Sequence, residues 1–272
     1  MKALNLFFII ISFSLKGFAQ DEEINQPDSI YRVNLVKERI TWFENGGNKN
    51  KTITQYDRKG RHIESIYFNH SGNKYGKPFF QYDSTDKLTS EYYVGYFTID
   101  SATDRMIMRE DKPDTTVTNI FYDSLDRIAK KISSFPDGKI NYLNTYTYNP
   151  LTIRKQCWNM TDTAPVSDIT TVYELPNVSK RVFGYSMYKD FKSKQYIRFN
   201  TDYTYKNKFD KSGRLIKRFW GTTDIASNTI NKDLQTFETS YIYNKAGLLI
   251  RKTSVTNYKN GKATLLFDYK YW

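Results

Sequence analysis

The residues that could do chemistry are few. His62 and His70 are the two histidines and Cys157 is the single cysteine. The two histidines could share one side of a strand, but no carboxylate or thiolate stands at a ligand spacing from them, so no metal site is expected. One thiol excludes a disulfide framework and any multi-thiolate centre. Cys157, between Gln156 and Trp158, reads as a buried thiol and not as a nucleophile. The chain holds no HExxH, GxSxG, P-loop, GxGxxG or EF-hand pattern, so no catalytic residue and no cofactor is assigned. Glycoside hydrolysis needs only two carboxylates about 5 to 9.5 Å apart, and among 29 acidic residues the sequence does not single out a pair. A secreted polysaccharide hydrolase is therefore the alternative to a non-catalytic reading.

The best-patterned aspartates have structural work. They sit in a recurring fragment: Tyr56-Asp57-Arg58-Lys59-Gly60-Arg61, Tyr82-Asp83-Ser84-Thr85-Asp86-Lys87, Tyr122-Asp123-Ser124-Leu125-Asp126-Arg127, Phe209-Asp210-Lys211-Ser212-Gly213-Arg214 and Tyr243-Asn244-Lys245-Ala246-Gly247-Leu248. Asp or Asn opening a type I turn accepts a hydrogen bond from the backbone two residues on. A left-handed residue then closes a three-residue hairpin loop with a bulge. Gly60, Gly213 and Gly247 suit that slot, and Asp86 and Asp126 are of a type that tolerates it. This register sets Asp57 against Arg61, Asp83 against Lys87, Asp123 against Arg127 and Asp210 against Arg214. One step in, Tyr82 meets Leu88, Tyr122 meets Ile128, Phe209 meets Leu215 and Tyr243 meets Leu249, while Tyr56 meets His62. Such cross-strand pairs contribute about 0.2–1 kcal/mol each.

At these residues the sequence resembles the YD-repeat, or RHS-type, family, whose unit is Tyr-Asp followed by Gly-Arg-Leu. The match covers five units scattered over residues 50–255. Tyr258-Lys259-Asn260-Gly261-Lys262 gives a second, weaker resemblance to MORN-like repeats. The first resemblance implies a continuous antiparallel meander in exported bacterial proteins, with repeats that serve as scaffold and not as catalyst.

The elements that position these fragments read as strands. Runs rich in Thr, Tyr, Ile, Phe and Val recur between Asp, Asn, Gly and Pro clusters, and no amphipathic helix stands out. Residues 98–116 and 159–170 lose the alternation and are expected as long loops. Several strands carry apolar residues on both faces, such as Ile216 and Trp220 opposite Leu215 and Phe219, which disfavours a flat sheet wet on both sides. The expectation is one all-β domain over residues 31–272, an antiparallel meander of repeated hairpins that curls or partly closes. Residues 20–30 are polar and read as a flexible lead.

Residues 1–19 have the layout of a secretory signal peptide: Lys2, an apolar run from Leu4 to Leu15, then Ala19 before Gln20. The run is too short for a transmembrane helix, and Cys157 lies far from the cleavage point, so neither a membrane anchor nor a lipoprotein is expected. The address is periplasm or exterior.

The formal charge is +12, of which Lys2 and Lys16 would leave with the leader. Most of the remainder falls between residues 180 and 218, where twelve basic residues face Asp190, Asp202 and Asp210. If residues 200–202 form a hairpin loop, Lys192, Lys194, Arg198, Lys206, Lys208, Arg214 and Arg218 share one face, with Tyr196 and Trp220 among them. That patch suits an anionic polysaccharide or an acidic envelope protein. Nucleic acid is not expected, because export removes it as a partner. The plainer alternative is a solvated face that blocks edge pairing. N-terminal sequencing of the exported protein is expected to start at Gln20; a chain still beginning at Met1 would contradict the leader.

Overall fold

A computed structural model describes residues 28–45, 47–100, 105–108, 113–159, 164–175, 179–189, 196–224, 229–257 and 261–272. A short helix, α1 (Asp28–Val33), opens it. Then come β1 (Val36–Asn45), β2 (Asn48–Tyr56), β3 (His62–Phe68), β4 (Lys74–Tyr82) and β5 (Leu88–Gly95). A small hairpin of β6 (Phe97–Asp100) and β7 (Arg105–Met108) interrupts the series. It resumes with β8 (Asp114–Tyr122), β9 (Ile128–Ser134), β10 (Ile140–Asn149), β11 (Thr152–Asn159) and β12 (Ser167–Leu175). The chain ends in β13 (Ser179–Lys189), β14 (Tyr196–Phe209), β15 (Leu215–Asp224), β16 (Thr229–Ile230), β17 (Thr236–Tyr243), β18 (Leu249–Thr256) and β19 (Lys262–Tyr271).

Each strand pairs antiparallel with the next, and β19 returns to pair with β1. Setting aside β16, which pairs only with the tip of β15, and the separate β6–β7 hairpin, sixteen strands close into one barrel. The meander expected from sequence is present, but it closes fully instead of curling or closing in part. Closure is favoured because the terminal strands complement each other. Trp42 lies opposite Leu266 and Phe43 opposite Leu265, and Lys270 Nζ stands 2.7 Å from Glu38 Oε1. Pairing the two ends also removes the open edges that would template aggregation.

Every barrel residue now points in or out. The face that carries Thr54, Tyr56, Ser65, Ile120, Ile169, Val182, Thr239, Tyr241 and Phe267 holds most of the buried side chains. The opposite face exposes Phe121, Phe183, Ile242 and Val255. The first is the inner face, where side chains converge on the axis.

Residues 28–30, expected as part of a flexible lead, begin α1. The helix packs against the wall at one end of the barrel: Tyr31 stacks on Tyr56 with ring centroids 4.4 Å apart, and both bury with Val36 and Leu248. The backbone N–H of Trp272 donates to Leu35 O at 2.9 Å and ties the C-terminus to the same end. The repeated turns lie there too, whereas the longer connections between β5 and β8 and between β15 and β17 lie at the other end.

The turns have the expected geometry. Gly60, Asp86, Asp126, Gly213 and Gly247 all have φ between 61° and 81°. Asp57 Oδ1 accepts from the N–H groups of Lys59 and Arg61, and Asp123 and Asp210 repeat the pattern. The Asp83–Lys87 ion pair is replaced by links between neighbouring turns. Lys87 Nζ reaches Asp126, and Lys59 Nζ and Arg61 Nη1 reach Asp86 Oδ1 at 2.7 and 2.6 Å. Asp in the left-handed slot thus receives a cation that glycine could not bind.

The leading tyrosine has a role beyond its ring. The register shifts at each turn, for example between Gln81 and Tyr82. Tyr82 Oη donates to His62 O, Tyr122 to Leu88 O, Tyr243 to Leu215 O and Tyr269 to Leu249 O, at 2.6–2.9 Å. Each acceptor is the first strand residue after the neighbouring turn, so each hydroxyl locks one hairpin to the next. Tyr122→Phe and Tyr243→Phe should each cost about 1 kcal/mol, the net worth of a typical hydrogen bond, and should add in the double variant. Urea unfolding checks this; unchanged midpoints would remove the lock.

Candidate functional site

The basic segment does not assemble as the sequence suggested. Residues 200–202 are not a loop: β14 runs unbroken through them and pairs along its length with β13, so Arg198 lies opposite Met187. Arg198, Lys206 and Lys208 do share the outer face and are exposed. The Arg198 guanidinium carbon lies 4.1 Å from the Tyr185 ring centroid. Arg214 is held by Asp210, its Nε donating at 2.7 Å. Arg218 and Trp220 are on the inner face. The bulge after the Asp210 turn sets Lys208 opposite Lys217 and inserts one residue, which flips every later side chain of β15. Tyr196 pairs through its backbone with Lys189, and Lys192 and Lys194 lie outside the described residues. The MORN-like fragment also lies largely outside them.

On the outer face several charges pair across strands. Lys77 Nζ stands 2.9 Å from Glu64, Arg181 Nη2 2.6 Å from Asp202 and Lys217 Nζ 2.9 Å from Glu238, and Arg154 binds Asp168. Hydrogen bonds from Arg154 and Arg181 hold the Asp168 and Asp202 carboxyls below the usual carboxylate range.

The inner face is cationic as well. Away from the rims, its charges among the described residues are Arg39, Lys131, Lys155, Lys180, Arg218 and Lys252, against the carboxylate of Glu91. Asp114, Asp224 and Lys74 stand at strand ends on the rim with the longer connections. Solvent reaches this interior, since Glu91, 3.4 Å from Lys131 Nζ, keeps 33% of its side-chain surface. Sixteen strands are also enough to enclose an aqueous space in known barrels.

Two groups of inner residues are well defined. At the α1 end, Arg39 Nη1 donates to Tyr31 Oη at 2.9 Å, and its guanidinium lies 5.7–5.9 Å from the rings of Tyr31, Tyr56 and Phe267. These cation–π contacts hold α1 in place. Nearby His62 lies tilted against Phe80, with ring centroids 4.0 Å apart, and hydrogen-bonds Ser65 Oγ through Nε2. Across β13–β17, Lys180, Tyr205, Trp220 and Phe237 lie in one inner row. Trp220 stacks on Phe237 at 4.0 Å and on Tyr205 at 5.5 Å.

Among the described residues, no group of three His, Cys, Asp or Glu side chains could hold a metal ion. Every described carboxylate with a displaced pKa is lowered, as at Asp83, Asp123 and Asp210, whereas a glycosidase acid needs a raised one. Burial raises the Cys157 thiol, which opposes nucleophilic use.

The inner cations were missed for a reason that the sequence carries. The residue nine places after each motif aromatic is inward: Ser65, Glu91, Lys131, Arg218 and Lys252. Counting by twos without the bulge puts them outside.

Burial, and then the charge of Arg39, push His62 down to about 3 from 6.5. The unfolded chain binds this proton first, so the contribution is intact above pH 6.5 and is lost as pH falls toward 3. Wild-type stability is expected to drop between pH 6.5 and about 4.5, above the carboxylate range, and His62→Gln should flatten that drop. Denaturant unfolding at several pH values checks it; equal slopes would exclude His62 as the cause.

No family model matches the chain, and no curated protein matches it. Solved structures do. A porin-like protein from Bacteroides uniformis is 10% identical, over 87% of this chain and 97% of that one, with a TM-score of 0.38. A porin-like protein from Bacteroides vulgatus is 9% identical over 86% and 99%, with a TM-score of 0.40. The YD-repeat assignment is corrected by the fold: the turns are real, but they join the strands of one closed barrel. Closure itself rests on the β1–β19 pairing.

Proposed function

We propose that this is an exported, non-catalytic β-barrel of the cell envelope that works immersed in water and binds an anionic oligosaccharide against its inner face. One observation carries the reading: away from the rims the described inner face sets Arg39, Lys131, Lys155, Lys180, Arg218 and Lys252 against the single carboxylate of Glu91. An interior lined mostly by one sign of charge focuses the opposite sign of ligand. Inward rings such as Tyr205, Trp220 and Phe237 give the same face an aromatic wall.

The outer face supports the aqueous setting. A lipid-facing barrel presents an apolar band, and each Lys or Arg at mid-membrane costs about 2–4 kcal/mol there. Here ion pairs such as Lys77–Glu64, Arg181–Asp202 and Lys217–Glu238 are distributed around the barrel wall. A second reading keeps the anionic partner outside, on the exposed strip of Arg198, Lys206 and Lys208.

Calorimetry of residues 20–272 with tetragalacturonate at low and high salt separates the two. Binding that weakens with salt, falls at least fivefold in Lys155→Gln/Lys252→Gln and survives Arg198→Glu/Lys208→Glu supports the inner face. Loss only in the outer variant would move the site outside, and no binding at any salt would end the proposal.

A further inference from the structure

On the outer wall, at the rim away from α1, the ladders of β19, β1, β2 and β3 set Leu266, Trp42, Lys51 and Phe68 side by side in one row. Beside this row lies a groove of about 380 Å³, walled by Trp42 and Phe68, by Lys49 and Lys51, and by Asn69 and His70 of the β3–β4 turn. That volume is in the range that holds a small ligand.

The two rings, both half-buried, carry the cations. Lys51 Nζ lies 5.4 Å from the centroids of both Trp42 and Phe68, and Lys49 Nζ lies 4.7 Å from that of Trp42. Lys49 also stands 3.1 Å from Glu44 Oε1, an exposed ion pair worth little to the fold. Lys51 differs: among the described residues its partners are the two rings, and no carboxylate pairs with it. The lysines can only donate. Asn69 Oδ1 is taken by the N–H groups of Ser71 and Asn73 at 3.0 and 2.9 Å, which leaves Nδ2 to donate. His70 can donate as well. Such a lining suits a ligand with acceptors at one end and an apolar face at the other. Ammonium point charges, with no guanidinium fork among them, match a tetrahedral oxyanion better than a flat carboxylate.

We propose that this groove binds a phosphorylated sugar, its phosphate between Lys49 and Lys51 and its ring against Phe68 and Trp42. The phosphate oxygens accept from both lysines and from Asn69 Nδ2, and the C–H face of the sugar covers the aromatic surface. The site lies on the opposite side of the wall from the inner cations and stands independently of the inner-face reading. A free sugar phosphate and the phosphorylated head of a glycolipid offer the same chemistry.

Calorimetry of residues 20–272 with glucose 1-phosphate, glucose and inorganic phosphate tests the site. Glucose 1-phosphate should bind roughly tenfold more tightly than either of its parts, because charge and ring face are both used. Lys51→Gln should weaken it about tenfold, and Lys49→Gln about threefold because Glu44 already shares that ammonium. Phe68→Leu should weaken glucose 1-phosphate about fivefold and leave inorganic phosphate unchanged. Lys130→Gln, which removes an outer-face charge from β9, should change the affinity by less than about twofold. Should Phe68→Leu fail to fold, the wild-type comparison of glucose 1-phosphate with phosphate still decides. Equal affinity for those two would overturn the sugar, and an equal loss in Lys130→Gln and Lys51→Gln would overturn the groove. No binding of glucose 1-phosphate would end the proposal, whether or not tetragalacturonate still binds inside. Where glucose 1-phosphate does bind, co-sedimentation with phosphatidylinositol vesicles but not phosphatidylcholine vesicles assigns the sugar phosphate to a lipid head, and its absence assigns a soluble one.

Discussion

The pairing of β1 with β19 is the constraint on which the rest depends. An antiparallel meander can close only with an even number of strands, and sixteen satisfy it. Once closed, the sheet has no edge and every residue acquires one of two environments. The ladder from Glu38–Lys270 to Asn45–Ala263 fixes the parity of the first strand against the last. A slip of one residue there would exchange inside and outside around the whole wall. The packing of α1, the inward direction of the motif tyrosines and the separation of charges all inherit that parity.

Local structure was legible in the sequence and closure was not. Asp57, Asp123, Asp210 and their left-handed partners specify turns by hydrogen bonds that span four residues, so their geometry could be written down in advance. The same holds for the pairs Tyr82–Leu88 and Tyr243–Leu249. The match of Trp42 to Leu266 joins opposite ends of the chain, and no local pattern reports it. The tyrosine hydroxyls fall between these cases. The motif shows that a tyrosine recurs, but its acceptor belongs to the neighbouring hairpin. The resemblance to YD repeats does not hold for the closed barrel; the turn that suggested it is a generic solution for a bulged hairpin and was legible from its own residues.

The candidate site was half legible for a related reason. Charge excess between residues 180 and 218 is plain in the sequence, but Arg198, Lys206 and Lys208 share a face along one unbroken strand and not across the hairpin expected at residues 200–202. The bulge at the Asp210 turn then carries Arg218 and Trp220 to the other. What read as one basic face is divided: Arg198, Lys206 and Lys208 stand on the outer face, and Arg218 with Trp220 on the inner one. Bulges are commonly treated as adjustments of twist. In this barrel they decide which charges are enclosed, since Glu91, Lys131, Arg218 and Lys252 all follow one.

The central claim is that the cationic inner face, not the outer strip, is where an anion is held. Anomalous diffraction from a crystal soaked in iodide tests it most directly, because the anion reports its own preferred positions. The account predicts ordered iodide on the inner face. Iodide confined to the outer strip at Arg198, Lys206 and Lys208 would contradict it.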